Sequence, residues 1–328
     1  MRWLVVGDGS SIHVRRLAAA LRDRGVDTHV ACFEGEAVPG VGWHGLGSRP
    51  ASDDRRYLMA VPRLARVIRR IRPDIVNAHY LSSYGLVAAL TPSRAVTVQT
   101  VWGSDLLVTA AGSRLRRAAA AFALRRAAHA TGDSRDLEAS ARSLAPRVGW
   151  HRFIFGPPAS LIETDTPRRD TIVSARALIP EMRIPLVVQA FEAARLAGWR
   201  LAVVGAGDAP VHGNRVDFYG AVDQSQLHEL MLSSKIIVSV PTSDASSASL
   251  LEGLAAGLTP VVNDLPANRE WVSAGVVSKD PSVAELAHAL EEASSRWDPN
   301  RSRAVVRDVV WDAEVDRLVR AVQGWRRQ

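Results

Sequence analysis

Asp244 and Glu252 stand with seven residues between them, all Ala, Ser or Leu, and this spacing is the strongest chemical signal in the chain. The pattern predicts a strand over 235–240, a polar loop, a helix over 247–257 and a further strand from 260. Ser247, Ala248 and Ser249 would open that helix with small side chains, leaving backbone N–H groups uncovered above the strand end. Uncovered amides at a helix start attract an anion such as a diphosphate. Glu252 lies one to two turns further in, within reach of a hydroxylated group held over the helix start. A plainer reading has Asp244 and the serines capping the helix, with Leu250, Leu251 and Leu254 in a core.

Alternating strands and helices must position these residues. The first half predicts strands over 3–7, 28–33, 74–78, 95–100 and 129–131, separated by helices over 12–25, 57–71, 81–90, 115–128 and 134–144. Residues 153–169, with Gly156, Pro157, Pro158 and Pro167, read as a linker. A second series follows, with strands over 171–174, 200–204, 216–219, 235–240, 260–263 and 276–277. Its helices fall at 184–197, 225–232, 247–257 and 283–294. The last segment, 305–325, spaces Trp311, Val315, Leu318 and Val319 near the helical period. This alternation predicts an α/β protein with two parallel, doubly wound sheets, one domain over 1–158 and another over 159–304. Two such domains on a Pro-rich linker imply a cleft at the carboxyl ends of their strands, where ligands bind in open α/β sheets. No internal repeat is evident.

Other reactive residues fall at predicted strand ends. Gly7, Asp8, Gly9 and Ser10 follow the first strand, but Ile12 stands where a dinucleotide fingerprint needs its third glycine, so a nicotinamide site is not expected. His13 begins the helix beneath, either facing the cleft or capping the helix. His79 ends the strand that starts near Asp74, as a ligand contact or a satisfied structural histidine. Trp102, Gly103, Ser104 and Asp105 close the next strand, where Asp105 could accept a hydrogen bond from a ligand hydroxyl. Gly205 and Gly207 form a Gly-x-Gly turn, and Arg176 and Arg183 bracket the loop after residue 174.

The run from Asp244 to Asp264 resembles the E-x7-E signature of family 4 glycosyltransferases, with Asp244 where the first acid is usually Glu. The stretch from Gly7 to Gly25 is similar to that family's opening, and Trp102 to Asp105 resembles a variant found in some members. The resemblance covers nearly the whole chain and implies the GT-B fold, with two Rossmann-like domains facing across a cleft and a final helix, 305–328, crossing back to the N-terminal domain. It implies a retaining transferase whose nucleoside-diphosphate sugar is held by the C-terminal domain while a small-molecule, lipid-linked or glycan acceptor enters over the N-terminal one. On that resemblance Asp244 meets the donor sugar, Glu252 the ribose, and Gly9, Ser10, Gly205, Gly207, Ser247, Ala248 and Ser249 the donor. Arg176 and Arg183 neutralise the departing diphosphate, and Asp105 and His13 complete the catalytic set. His79 and Trp102 stand on the acceptor side. Fixed cations and a helix start can stabilise a leaving diphosphate in place of a metal. No Asp-x-Asp motif stands at a strand end, and Asp53 and Asp54 lie beside Arg55 and Arg56, so no metal cofactor is expected. A non-hydrolysing sugar-nucleotide epimerase and a non-catalytic nucleotide-sugar-binding protein remain open alternatives.

Composition narrows the setting. The chain has 328 residues and one cysteine, Cys32, which excludes an internal disulfide framework and suits a reducing compartment. No apolar run is long enough to span a bilayer, and no leader precedes the first strand, so a soluble cytoplasmic protein is expected. Residues 1–158 hold 23 basic and 12 acidic residues, whereas 159–328 hold 18 and 22. The first half therefore suits an anionic partner, a membrane's inner face or an acidic acceptor, unless its arginines are only solvated helix faces. Nucleic acid is not expected, since the basic residues are not interleaved with exposed aromatics and no binding motif occurs.

Overall fold

The apolar runs Leu4–Val6 and Ile172–Val173 are buried on both faces, an environment that parallel strands covered by helices provide. The protein, described by a computed structural model over residues 1–48, 57–208, 212–273, 275–279 and 282–325, builds two such sheets. Met1–Phe155 with Glu314–Gln328 form one unit and Gly156–Ala313 the other. The division falls at Phe155, and residues 305–313 group with the second unit.

The first unit holds seven parallel strands: β1 (Arg2–Val6), β2 (Asp27–Cys32), β3 (Gly42–Gly45), β4 (Ile75–His79), β5 (Val96–Thr100), β6 (His129–Gly132) and β7 (Gly149–Arg152). They lie in the order β3-β2-β1-β4-β5-β6-β7, so the winding reverses between β1 and β4. The helix Val61–Ile71 shows how the sequence dictates the packing. Leu64, Ile68 and Ile71 recur at helical spacing and are buried against Leu4, Val76 and Val87, while Arg69 and Arg70 stay outside.

The second unit holds six parallel strands: β8 (Thr171–Ala175), β9 (Arg200–Val204), β10 (Val216–Gly220), β11 (Ile236–Ser239), β12 (Thr259–Asn263) and β13 (Val276–Ser278). Their order is β10-β9-β8-β11-β12-β13, with the reversal between β8 and β11. Helices Ile184–Ala193 and Val283–Ser295 bury Val188, Phe191, Leu286 and Leu290 against Leu201, Val203 and Val238.

Two strands were not expected from the sequence. Both edges of the first sheet, β3 and β7, begin Gly-Trp-His. Gly42 pairs with His29 and Gly149 with His129, and a Cβ at either glycine would strike the opposing imidazole. The predicted helix over 305–325 is broken: Pro299–Val306 and a 3-10 turn, Arg307–Val309, precede Trp311–Trp325. No described helix is long and apolar enough to cross a membrane. Asp53, Asp54, Arg55 and Arg56 lie outside the described residues.

Candidate functional site

The reversal of winding between β8 and β11 sends the loops after these strands to opposite faces and opens a crevice at their carboxyl ends. Arg176 follows β8 and Asp244 follows β11, and the two side chains form a largely buried ion pair. Arg176 Nε also donates to Ser239 Oγ at 2.9 Å, so its guanidinium is fixed at both ends. Asp244 accepts from the Ala245 amide at 3.0 Å. The backbone N–H of Thr242 donates to Glu181 across the same two loops at 2.8 Å.

Helix Ala248–Ala255 starts next to Asp244, with Ser247 as its N-cap accepting from Leu250 at 3.3 Å. Ser247 and Ser249 hydroxyls lie 3.1 Å apart, while the amides of Ala248 and Ser249 have no intrahelical acceptor because they open the helix. Trp271 Nε1 donates to Ser246 and fixes the approach to this start. Glu252 is buried and accepts from Gln224 Nε2 at 2.9 Å, with His228 Nε2 at 3.7 Å. Gln224 and His228 are themselves 2.7 Å apart on helix Gln224–Leu232.

Arg183 takes the left-handed conformation, φ 53°, before helix Ile184–Ala193, and its guanidinium makes no hydrogen bond or ion pair among the described residues. Gly205 lets the loop after β9 press on Arg176: a Cβ there would lie 2.0 Å from the Arg176 carbonyl oxygen. Leu178 N–H donates to Ala206 and Gly207 packs on Leu178, so this glycine turn supports the arginine loop. The second unit thus gathers a fixed cation, a helix start and a buried carboxylate, with Arg183 on the same loop after β8 as Arg176. That arrangement can bind a diphosphate and a neighbouring diol.

The first unit has its own reversal, between β1 and β4, and His13, His79 and Trp102 gather there. Trp102 stacks on Tyr80 at 5.4 Å and on Phe155 at 4.9 Å, and His13 contacts both Trp102 and Phe155. Gly9 pairs with Gly35 in an isolated bridge, and Ser10 Oγ donates to Asp8 at 2.6 Å, so both are engaged within the first unit.

Residues 2–134 match the family described as "Glycosyl transferase 4-like", and residues 163–306 match "Glycosyl transferases group 1". The chain is a glycosyltransferase of the family 4 type. Sucrose-phosphate synthase from Thermosynechococcus elongatus shares its fold at a TM-score of 0.83 and 13% identity, covering 99% of both chains. A UDP-forming α,α-trehalose-phosphate synthase from Burkholderia xenovorans gives 0.75 at 12%, covering 98% of each chain. The catalytic domain of starch synthase IV from Arabidopsis thaliana, bound to ADP and acarbose, gives 0.72 at 12%, covering 100% of each. The fold is GT-B. No curated protein matches the chain in sequence.

Asp105 of this glycosyltransferase does not offer the free carboxylate its motif suggested. It is buried and accepts from the backbone amides of Trp102, Leu81 and Ser82, tying the loop after β4 to the loop after β5. Burial pushes its pKa up to about 7. His79 is fully buried with both ring nitrogens unpartnered, and burial lowers its pKa to about 3. The signs of these shifts differ. Asp105 is protonated in the folded state and ionised in the unfolded one between about pH 4 and 7, so its contribution falls as pH rises through that window. His79 is neutral when folded and charged when unfolded between about pH 3 and 6.5, so its contribution falls as pH drops. Between about pH 4 and 6.5 the two contributions oppose one another, so Asp105→Asn should leave stability falling as pH drops through that window, whereas His79→Leu should leave it rising. Denaturant midpoints measured across pH check this; an unchanged profile in either variant refutes that residue's assignment.

Ser239, Gln224, His228, Tyr80 and Phe155 join these clusters without having been singled out in the sequence. The Asp223/Gln226 capping box marks the start of the helix carrying Gln224, but nothing in the spacing directs that side chain towards Glu252.

Proposed function

We propose that this glycosyltransferase moves a sugar from a nucleoside-diphosphate sugar to an acceptor hydroxyl with retention at the anomeric carbon and without a divalent metal. The observation that carries the reading is Arg176, clamped by Ser239 and Asp244 beside the start of helix Ala248–Ala255. The bond from the anomeric carbon to the diphosphate breaks with its electron pair on the phosphate oxygen. Arg176, Arg183 and the helix amides stabilise that charge. The acceptor hydroxyl attacks the face being vacated, and its proton passes to the leaving phosphate oxygen. Asp244 holds Arg176 and presents its remaining lone pairs to the donor sugar, while Glu252 accepts from the ribose hydroxyls.

Among the described residues, no three His, Cys, Asp or Glu side chains group to hold a metal ion. The two arginines supply positive charge at the site in any case. A single buried cysteine, its pKa raised to about 11 by burial, and a nucleotide-sugar donor both suit a cytoplasmic reaction. The solved structures named UDP-forming and bound to ADP lend support to a nucleoside-diphosphate donor.

Thermal-shift screening with UDP, GDP, ADP and dTDP and their sugars identifies the donor, since a ligand that binds the folded form raises its stability. With that donor, Glu252→Ala should weaken nucleoside-diphosphate binding about 10- to 100-fold, the worth of hydrogen bonds to a charged group. Asp244→Asn should lower turnover more than it weakens binding. Gln224→Ala should reduce the preference for the ribonucleotide over its deoxy analogue, because Glu252 loses the amide that orients it. Transfer must survive excess chelator. Abolition by chelator with recovery on adding Mg²⁺ or Mn²⁺, or equal effects of the Asp244 and Glu252 variants on binding and turnover, would overturn the reading.

A further inference from the structure

Glu252 is buried in helix Ala248–Ala255, and a side chain from a different helix grips its carboxylate. Gln224 Nε2 lies 2.9 Å from Glu252 Oε1. Gln224 opens helix Gln224–Leu232, whose Asp223/Gln226 capping box fixes the first turn. His228 follows four residues later and therefore stands on the same face. Its Nε2 lies 2.7 Å from the same Gln224 nitrogen and 3.7 Å from Glu252 Oε1.

Donors and acceptors in this cluster admit one arrangement. A carboxylate oxygen accepts, so Gln224 turns its NH2 towards Glu252 rather than its carbonyl. That NH2 carries two hydrogens and no free acceptor. One hydrogen goes to Glu252 and the other to His228, so His228 Nε2 must be bare and the ring proton must sit on Nδ1. A proton on Nε2 would instead set hydrogen against hydrogen.

We propose that His228 is a positioning residue for ribose recognition: its bare Nε2 anchors Gln224, which holds Glu252 Oε1 and leaves Oε2 to accept from the ligand's hydroxyls. The inference rests on the reading of Glu252 as the ribose contact and names what makes that contact selective. Gln224 is exposed, and a free glutamine side chain loses rotamer entropy whenever it is held in one geometry. The second hydrogen bond, to His228, offsets that cost before any ligand arrives. Without it Glu252 is oriented only part of the time, which weakens a ligand that carries the hydroxyl and leaves one that lacks it unaffected.

The test uses the full chain in two measurements. Long-range proton–nitrogen NMR spectra of ligand-free chain with isotope-labelled histidine should show the His228 proton on Nδ1, the signal being assigned by its loss in His228→Gln. Gln224→Leu should move that proton to Nε2, which then faces Glu252. Dissociation constants of UDP, GDP and ADP are then compared with those of their 2′-deoxy counterparts. For the diphosphate that binds, His228→Phe should weaken the ribonucleotide about two- to tenfold, the worth of one neutral hydrogen bond, and leave the 2′-deoxy form unchanged. His228→Gln keeps an acceptor one turn from Gln224 and should restore the parental ratio, which a loss of packing alone would not do. The double variant His228→Phe with Gln224→Ala should be no worse than Gln224→Ala. A proton on Nε2 in the parent chain, equal weakening of both nucleotide forms in His228→Phe, or full additivity overturns the inference while leaving the diphosphate site in place. Failure of UDP, GDP and ADP alike to bind the parent chain overturns the ribonucleotide reading, and the inference with it.

Discussion

Arg176→Ala is expected to lower turnover by about two to three orders of magnitude, the usual loss when a fixed donor to developing charge is removed from an active site. The magnitude follows from how the guanidinium is held. Ser239 takes Nε and Asp244 takes a terminal nitrogen, so the side chain is oriented before any ligand arrives. Such preorganisation requires no rearrangement during the reaction. Lysine cannot reproduce it, because a single ammonium lacks the planar fork that reaches both partners. Arg176→Lys should therefore remain well below the parent enzyme. Asp244→Asn leaves an oxygen to hold the arginine and should lose less than Arg176→Ala, and the double variant should be no worse than the arginine variant alone. Single-turnover rates with saturating donor give these comparisons. Turnover of Arg176→Ala within a few fold of the parent would remove the residue from the mechanism, and full additivity would separate it from Asp244.

The second large effect is expected at a glycine that meets Arg176 through backbone atoms alone. Gly205→Ala would place its Cβ 2.0 Å from the Arg176 carbonyl oxygen and 2.5 Å from the carbonyl carbon, both backbone atoms. No side-chain rotation relieves that contact, so the loops after β8 and β9 must separate. Overpacking costs about 1–3 kcal/mol or more, which lowers Tm by about 2–12 °C for a unit of this size. The Leu178–Ala206 hydrogen bond lies on the same seam, and its loss would misplace Arg176. Turnover should fall by about tenfold or more even at temperatures where the variant is fully folded, as expected when a catalytic group shifts by about an ångström. Calorimetry and steady-state assays on one preparation check both. A stable variant with parental turnover would show that the seam does not position the arginine.

These two cases show how unevenly the site could be read from sequence. The strands and most helices were recognisable because burial on a parallel sheet demands apolar runs such as Leu4–Val6, and helices pack by period. Short strands such as β3 and β7 escaped, since Gly-Trp-His carries little strand propensity and its register is set by the histidines opposite. The pairing of Asp244 with Glu252 was visible as spacing along one loop and helix. The Arg176–Asp244 ion pair was not, because it joins loops 68 residues apart whose meeting depends on the order of β8 and β11. Asp105 and His79 were readable as polar residues at strand ends. Whether such a residue faces ligand or backbone is decided by neighbours from other elements, here Leu81 and Ser82 for Asp105.

The final helix Trp311–Trp325 completes the first unit from the far end of the chain. Glu314 accepts the Ile154 amide at 2.9 Å, Arg24 reaches Asp316 at 2.5 Å, and Trp325 stacks on His129 at 3.9 Å. Val315, Leu318 and Val322 are buried along its length. During synthesis, the first 155 residues leave the ribosome before their closing helix is made. The second unit, continuous from Gly156 to Ala313, can fold as soon as it emerges. The part of the chain made first is therefore finished last, and a ribosome that stops before Glu314 releases an unclosed first unit with the apolar surface meant for that helix uncovered.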